Sequence, residues 1–452
     1  MIRGIPVGER KPLQSSQHLR RDLGLSHAMF TVVGTVIGSG IFALPAVVFA
    51  RAAAPGMGVG AWIVGGLVSL AAGLTVAELS AAMPNAGGTY QFLREAYGPW
   101  AGFLQGWAQF LAYNSAMQAA LAMIFTTYLT ALIPLSSAAQ TGIGIILILL
   151  LTIANGIGVR FGGLIQIVAT LGKLVPIALL ILFGFSHIDG ANLVPFFPAE
   201  GVGLSSALAG ALLPVLWAYD GWIMAGQLSE EVKNPQRTIP MALILGISLV
   251  TVVYALFNLV LAGAVPMATL TASEKPVIPL ATTLFGDGGA KLFTVGMLVS
   301  MFGTLNAVVM TSPRYYYAMA RDGLFPAASK VAQLHPKFQT PVAALVISAA
   351  WSIILLLSGQ FGQLLNLVVF VAWLFYVLVM AGVFILRKTR PNMERPYKAW
   401  GYPVVPLIGI GSGIWILVNS AISDPRTALM GLGLTATGLP VYYLLRRSNR
   451  AA

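Results

Sequence analysis

The chain has 452 residues, of which 57% are hydrophobic and only 9% are charged. A soluble domain usually carries about 25% charged residues, so this composition excludes a water-soluble globular protein. The formal net charge of +12 would suit a nucleic-acid-binding protein, but the positions of the basic residues give that charge another meaning.

Apolar segments recur along the whole chain, and most have the roughly 20 residues that a membrane-spanning helix needs. We therefore predict an all-α polytopic membrane protein with about 12 transmembrane helices. The predicted segments are 28–50, 58–82, 98–131, 141–159, 162–185, 205–229, 239–264, 290–318, 340–358, 363–386, 402–420 and 427–445.

The basic residues lie mainly on one side of this predicted arrangement. Numbering the loops alternately places 21 of the 26 Lys and Arg residues on the side of the two termini, with Lys173 inside the fifth segment. Basic loops stay in the cytoplasm, so both termini are predicted to be cytoplasmic in a multi-pass protein of the cell membrane. The positive charge thus indicates topology, and we predict no nucleic-acid partner. The opposite side holds four basic residues: Arg51, Lys275, Lys291 and Arg426.

The chain contains no cysteine, which excludes thiol chemistry and thiolate metal sites and argues against a disulfide-linked partner subunit. The four histidines are scattered over termini and loops without the spacing of metal ligands. We therefore predict no metal and no cofactor, and a monomer or homodimer in the lipid bilayer.

The first segment contains a glycine-rich stretch, TVVGTVIGSGIFALP at 31–45. Each glycine costs a helix interior about 1 kcal/mol relative to alanine. One interpretation is a packing face, since Gly34 and Gly38 form a GxxxG pair. The other is a helix that opens at this point to offer its backbone to a ligand.

A second glycine-bearing interruption, LWAYDGW at 216–222, lies five helices later in the sixth segment. Two halves of five helices each must run in opposite directions through the membrane. Interrupted helices at corresponding positions of two inverted halves indicate a transport site. The second interruption therefore favours the ligand interpretation of the first.

Five motifs together resemble the amino acid–polyamine–organocation transporters, and most closely the branch of L-amino acid transporters and Ser/Thr exchangers. The resemblance implies a LeuT-like fold with the first and sixth helices unwound and two further C-terminal helices. The motifs are GTVIGSGIF (34–42), AELSAAMPNAGGTYQFLREAYGP (77–99), LWAYDGW (216–222), EEVKNPQRTIP (230–240) and SPRYYYAMARDGLFP (312–326). The implied divisions are a cytoplasmic tail (1–25), two inverted repeats (26–188 and 200–388), two further helices (400–446) and a second tail (447–452).

The resemblance also implies where a substrate binds, and the chemistry of an open helix agrees with it. Backbone N–H groups at the first break, near the N-terminus of the outer half-helix, would bind a carboxylate, while freed carbonyls at both breaks would accept from an ammonium. The implied binding residues are Val36, Ile37, Gly38, Ser39, Gly40, Gln118, Trp217, Ala218, Tyr219, Asp220, Gly221 and Val308.

Several of these residues allow a second interpretation. Trp217 matches an aromatic gate above the substrate, or it is an apolar residue in the core. Gln118 and Val308 match pocket walls, although an interior amide such as that of Gln118 also serves helix–helix hydrogen bonding. The Asp220 carboxylate could read a cationic substrate, or Asp220 could contribute mainly its backbone.

Lys173 is an ionisable residue near the centre of the fifth segment, which makes it a functional candidate. In relatives, a lysine at this position replaces a sodium ion, so it would join carbonyls near Gly34 and Thr35 to Ser300 or Thr304 of the eighth segment. That role predicts sodium-independent transport. A buried lysine can also lose its proton, so Lys173 as a proton carrier and Lys173 as a structural cation are the alternatives.

The carboxylates near the cytoplasmic side have a different interpretation. We expect Glu78, Glu230 and Glu231 to form contacts that open and close an inner gate, with Arg314 and Arg321 as partners.

These observations predict a sodium-independent permease or exchanger for small or neutral L-amino acids that works by alternating access. The alternative is a transporter of cationic amino acids or polyamines, with Asp220 reading the amine and with possible proton coupling. A channel would need repeated carbonyl or charged rings, and an enzyme would need clustered catalytic groups. The sequence contains neither pattern, so we predict no enzymatic activity.

Overall fold

The computed structural model describes residues 24–84, 88–157, 159–223, 232–358 and 361–451. These residues fold mainly into α-helices. The helices are α1 Leu25–Val36, α2 Gly40–Ala43, α3 Pro45–Ala52, α4 Pro55–Ala82, α5 Thr89–Tyr97, α6 Pro99–Ala108, α7 Ser115–Leu129, α8 Ser137–Ile157, α9 Val159–Gly184, α10 Leu204–Ala218, α11 Pro235–Ala264, α12 Met267–Ala272, α13 Val277–Thr311, α14 Pro313–Arg321, α15 Ala328–Val331, α16 Val342–Leu357, α17 Phe361–Thr389, α18 Val404–Ser423, α19 Pro425–Ala436 and α20 Gly438–Ala451. A π-helical stretch, Gln109–Asn114, joins α6 to α7, and short 3-10 turns cover Phe185–His187 and Gly190–Leu193.

Within the described residues, seven helices are long and apolar enough to cross a membrane: Pro55–Ala82, Ser137–Ile157, Pro235–Ala264, Val277–Arg321, Gly362–Thr389, Val404–Ser423 and Pro425–Arg447. An eighth span results if the bent pair Ala28–Ala43 and Pro45–Ala52 counts as one. Three shorter apolar helices are Gly172–His187, Leu204–Ala218 and Val342–Leu357. The predicted class, an all-α polytopic membrane protein, is confirmed, whereas the count of about 12 spans stays a prediction.

The long helices bury their shared faces and leave apolar side chains on the outside. Ile146, Ile153 and Leu182 are among the large hydrophobic residues that are exposed. Water-soluble monomers rarely expose extensive apolar surface, so these faces suit lipid. Inside the bundle, α4 packs along α11, and α9 packs along α13. Helix α10 lies against both α3 and α4, while α7 contacts α13, α16 and α17.

The predicted interruption of the first segment is present. Helix α1 ends at Val36, residues 37–39 are not helical, and α2 begins at Gly40. A further bend at Leu44 separates the four residues of α2 from α3, and Pro45–Ala52 is inclined by 64° to Ala28–Ala43. The half-helix expected to follow the break is therefore kinked one turn after it begins. The dipole of α2 is weak because this helix has only four residues. We therefore expect any anion recognition to depend on local backbone and side-chain donors.

The sixth segment is helical from Leu204 and stops at Ala218, where Tyr219, Asp220 and Gly221 form a turn. Gly221 has φ +106°, a left-handed conformation that glycine adopts without strain. The change of direction therefore falls inside LWAYDGW, as the motif predicts.

Candidate functional site

Two neighbouring helices, α13 and α10, approach the backbone of the first break closely. A β-carbon on Gly38 would lie 2.9 Å from the Thr304 methyl group, and one on Gly40 would lie 2.7 Å from Cα of Ala218. Glycine is needed here because neighbouring helices come too near for any side chain. The packing and ligand interpretations are thus compatible, since the same glycines interrupt the helix and admit its neighbours.

Lys173 projects from α9 to the first break and is fully buried. Its ammonium donates to the carbonyl of Gly34 at 2.6 Å and to that of Ile37 at 2.5 Å. The Thr304 hydroxyl of α13 lies 3.5 Å away. In a continuous helix, these two carbonyls would accept from the N–H groups of Gly38 and Ile41. The ammonium replaces the donors that the break removes, and it joins α1, α9 and α13.

The turn after α10 places the carboxylate of Asp220 between two other parts of the bundle. Tyr113 donates to Oδ2 at 2.6 Å, and Tyr376 of α17 donates to Oδ1 at 2.6 Å. The Gly221 N–H also donates to Oδ1, at 2.8 Å. A buried carboxylate requires such partners. Asp220 therefore contributes its side chain as well as its backbone, and both oxygens are already hydrogen-bonded.

Tyr113 reaches Asp220 from the π-helical stretch between α6 and α7. A π-helical turn changes the angular position of every later side chain and often occurs at functional sites. The sequence contains no signal for this stretch and therefore does not indicate Tyr113 as a partner of Asp220. Tyr376 of α17 was likewise not predicted.

Tyr254 of α11 joins the two breaks directly. Its hydroxyl lies 2.8 Å from the carbonyl oxygen of Val36 and 3.0 Å from that of Ala218. A hydroxyl carries one proton, so it donates to only one of these carbonyls at a time. The other carbonyl is then available to a different donor, such as an ammonium. This residue was also missed, because a buried tyrosine in an apolar helix is usually part of the core.

A cavity lies between the two breaks. Its walls are Thr35, Val36, Gly38, Ser39, Gly40, Met117, Leu121, Trp217, Ala218, Asp220, Gly221, Thr304, Ala307 and Val308. Two buried donors in these walls have no hydrogen-bond partner among the described residues: the Ser39 hydroxyl and the indole N–H of Trp217. Such groups are costly to bury unless a ligand or water satisfies them. The cavity thus offers donors, carbonyl acceptors and one carboxylate within an apolar enclosure.

Three residues predicted to bind substrate lie behind the cavity walls. The Ile37 carbonyl accepts from Lys173. The Tyr219 hydroxyl donates to the Trp62 carbonyl at 2.9 Å. The Gln118 amide donates to the hydroxyls of Ser312 and Ser348, both at 3.1 Å, and accepts from Ser352. Gln118 therefore joins α7 to α16 and to the junction between α13 and α14, which is the helix–helix alternative considered for it.

Among the described residues, no group of three His, Asp or Glu side chains converges to hold a metal ion. The charged groups next to the cavity are Lys173 at one break and Asp220 at the other. The described residues of the site offer backbone and hydroxyl groups that can form hydrogen bonds with a carboxylate and an ammonium.

The sequence profile described as "Amino acid permease" matches residues 23–433 of the chain. The chain belongs to the amino acid permease family. This confirms the resemblance to amino acid–polyamine–organocation transporters that the five motifs indicate.

Curated relatives agree over nearly the whole length of this permease. The serine/threonine exchanger SteT of Bacillus subtilis is 37% identical over 431 residues, which are 95% of this chain and 98% of that protein. The human large neutral amino acids transporter small subunit 2 is 33% identical over 438 residues, 94% of this chain and 80% of that protein. The mouse Asc-type amino acid transporter 1 is 31% identical over 439 residues, 94% of this chain and 81% of that protein. The family and these relatives are transporters, which confirms that the chain is a membrane permease and not an enzyme.

The partners of Glu78 in the permease differ from the predicted ones. Arg387 of α17 donates from Nε to Oε1 at 2.9 Å and from Nη2 to Oε2 at 2.6 Å, and Nε of Arg395 lies 3.4 Å from Oε1. The N–H of Ala399 also donates to Oε2, at 2.7 Å. Glu78 thus fixes the end of α17 and the loop that follows it. For Glu78, the expectation of Arg314 and Arg321 as partners is wrong, because α17 packs beside α4 and brings Arg387 from more than 300 residues away.

The arginines expected to bind Glu78 have other contacts. Arg314 donates to the Met310 carbonyl at 2.7 Å, and the Arg321 guanidinium lies over the Tyr317 ring. Residues 230 and 231, the other two glutamates of the expected gate, lie outside the described residues.

Proposed function

We propose that this permease moves small or neutral L-amino acids across the cell membrane by sodium-independent alternating access, in exchange for another amino acid. The observation that carries the proposal is the position of the Lys173 ammonium on the carbonyls of Gly34 and Ile37. A fixed cation there does the work that a bound sodium ion would do, because both hold the freed carbonyls of a broken helix. The carbonyls then need no ion from solution.

The proposed arrangement is two inverted repeats of five helices, 26–188 and 200–388, followed by two helices at 400–446, with tails 1–25 and 447–452 in the cytoplasm. The packing of α4 along α11 supports it, since these are the second long helices of the two halves. Helices related by a two-fold axis in the membrane plane meet in this way. The excess of basic residues on the terminal side supports the orientation.

The proposed substrate pose follows from the unpaired groups. The carboxylate lies against the N–H groups at the first break and the Ser39 hydroxyl. The ammonium takes whichever carbonyl, of Val36 or Ala218, the Tyr254 hydroxyl leaves open. The side chain faces Met117, Leu121 and other apolar wall residues, and this favours neutral side chains. The relatives include a serine/threonine exchanger and a large neutral amino acids transporter, and these names agree with this class of substrate.

A cationic amino acid or a polyamine is the second candidate substrate, and one observation favours it. Asp220 brings a carboxylate to the cavity wall. Both of its oxygens already accept hydrogen bonds from Tyr113 and Tyr376, so an added amine would have to share or displace these donors. We therefore propose neutral substrates first.

Uptake into proteoliposomes tests the proposal. Vesicles loaded with unlabelled L-serine should take up labelled L-serine, L-alanine and L-leucine equally well in sodium and in choline buffer. Lys173→Ala should abolish this uptake, and Lys291→Ala, which removes an exposed lysine of α13, should not. Strict sodium dependence, or normal uptake by Lys173→Ala, would overturn the role assigned to Lys173.

The same vesicles separate the alternatives. Competition by arginine or putrescine that disappears in Asp220→Asn would favour cationic substrates. Uptake into empty vesicles that follows an imposed pH gradient would favour proton symport over exchange.

A further inference from the structure

Helix α10 contains a proline, Pro214, one turn before it ends at Ala218. Proline has no N–H group, so the carbonyl four residues earlier receives no helical hydrogen bond. That carbonyl belongs to Gly210. Gly210 is half-buried, and a carbonyl shielded from water costs free energy unless another donor reaches it.

The missing donor comes from a different helix. Nη1 of Arg51, in the last turn of α3, donates to the Gly210 carbonyl at 3.3 Å. The aliphatic part of the same side chain covers Gly210, with Cβ 3.5 Å from the point that a β-carbon there would occupy. Neither α3 nor α10 contains an acidic residue, so this contact is not an ion pair between the two helices. The arginine completes a hydrogen bond that the proline deletes.

Beside the cavity, a second contact joins α10 to α2, the short helix directly before α3. There, Gly40 of α2 approaches Cα of Ala218 so closely that a β-carbon would lie at 2.7 Å. Gly210 and Ala218 are eight residues apart, or about 12 Å along a helix. Two contacts at that separation, one from α3 and one from α2, resist both sliding and hinge motion between α10 and the segment that α2 and α3 form.

We propose that Arg51 is a positioning residue that fastens α3 to α10, so that the outer halves of the two broken helices move as one body during transport. The proposal rests on the proposed function, because it assigns a role within alternating access. Its physical basis is that a charged donor forms a stronger hydrogen bond with a carbonyl than a neutral donor does. When the cavity opens, both walls then move together and the geometry between Gly40 and Trp217 is kept.

Distance measurements between spin labels test the fastening directly. The chain has no cysteine, so labels attach only at introduced positions. One pair, Val47→Cys with Ser205→Cys, reports the separation of α3 and α10, and both positions are exposed. A second pair, Ile146→Cys with Ser205→Cys, reports α10 against α8. With and without L-serine, the first distribution should stay narrow, while the second should shift.

Variants of Arg51 and Pro214 test whether the hydrogen bond to the Gly210 carbonyl holds α3 and α10 together. Arg51→Ala should broaden the α3–α10 distribution and lower the turnover number of L-serine exchange about tenfold, the scale of one hydrogen bond from a charged donor, with KM changed less than about twofold. Arg51→Lys should restore part of the rate. Pro214→Ala gives Gly210 a helical donor, so Arg51→Ala should have a smaller effect in that background. Arg426→Ala, an exposed arginine predicted on the same side, is the control.

Two results would overturn the proposal: an α3–α10 distribution that stays narrow in Arg51→Ala, or effects of Arg51→Ala and Pro214→Ala that simply add. Should Arg51→Ala fail to fold, Arg51→Gln and the double variant with Pro214→Ala give the same comparison. If the native protein exchanges no amino acid, the proposed function fails, whereas the α3–α10 distances still decide whether Arg51 fastens the two helices.

Discussion

The break after α1 and the turn after α10 face the same cavity, and one buried charged side chain lies at each. The two charged side chains come from different parts of the chain. At the first break, the charge comes from outside the segment, because Lys173 of α9 donates to the Gly34 and Ile37 carbonyls. At the second, the charge belongs to the turn itself, and Tyr113 and Tyr376 reach Asp220 from two other helices. The first arrangement depends on one side chain, while the second divides its hydrogen bonds among several donors. Loss of a single group should therefore be more damaging at the first break.

Removal of the Lys173 ammonium should have the largest effect. Lys173→Met keeps the length of the side chain but leaves the Gly34 and Ile37 carbonyls without a donor, at about 1–3 kcal/mol for each carbonyl. The thermal midpoint in detergent should fall by several degrees in addition to the loss of transport. Lys291→Ala should leave the midpoint in place. An unchanged midpoint for Lys173→Met would show that the first break does not depend on the ammonium.

Each hydrogen bond to Asp220 should contribute less to stability than the Lys173 ammonium does, and the two tyrosine contributions should be coupled to one another. Tyr113→Phe and Tyr376→Phe each remove one donor from a charged acceptor, for which we expect about 1.5–3 kcal/mol. The double variant should cost more than the sum, because the last tyrosine takes over part of the lost interaction. Tyr443→Phe, at an exposed tyrosine, is the matched control for both. Unfolding midpoints of the four proteins give the coupling directly, and strict additivity would contradict it.

The close approach between the two regions gives an effect of intermediate size. Gly40→Ala introduces a methyl group 2.7 Å from Cα of Ala218, which should cost about 1–3 kcal/mol and weaken substrate binding. Gly60→Ala in α4 is a matched control, since no atom lies within 4 Å of its new methyl group. That control should keep or raise stability, because alanine favours a helix. Equal midpoints for both variants would show that the helices can separate without cost.

An aspartate outside the bundle core should show the smallest effect. Asp424 caps α19, where Oδ1 accepts from the Thr427 N–H at 3.1 Å and Oδ2 accepts from Asn366 at 3.1 Å. Partial burial raises the pKa of Asp424, but hydrogen bonds from Thr427 and Asn366 outweigh it and hold the pKa below the ordinary 3.8. Asp424→Ala should therefore cost about 1 kcal/mol at neutral pH.

The pH dependence of that cap follows from the sign of the shift. Because the folded protein binds this proton more weakly than the unfolded chain, the stabilisation is complete above pH 3.8 and is lost as the pH falls further. The difference in midpoint between the native protein and Asp424→Ala should narrow on acidification. A difference that stays constant would show that the charge of Asp424 contributes nothing to the cap.

Parts of the site could be read from the sequence because their causes are local. Three glycines within seven residues weaken a helix wherever it packs, so the break at Gly38 was predictable. A lone lysine in an apolar segment must find acceptors, and the carbonyls of a nearby break are the available ones. The placement of Gln118, by contrast, depends on Ser312, between α13 and α14, and on Ser348 of α16. These serines are 194 and 230 residues away, and nothing in the segment of Gln118 indicates them.

The sequence by itself determined the membrane class, the family and the two interruptions, because composition, motifs and glycine propensity are properties of the chain alone. Only the tertiary structure decided which groups serve those interruptions. Tyr113 reaches Asp220 through a π-helical turn, Tyr254 reaches Val36 from a helix more than 200 residues away, and Glu78 meets Arg387 across the bundle. Hydrogen bonds act over about 3 Å, so their partners are set by helix packing and rotation, which no local pattern of residues encodes.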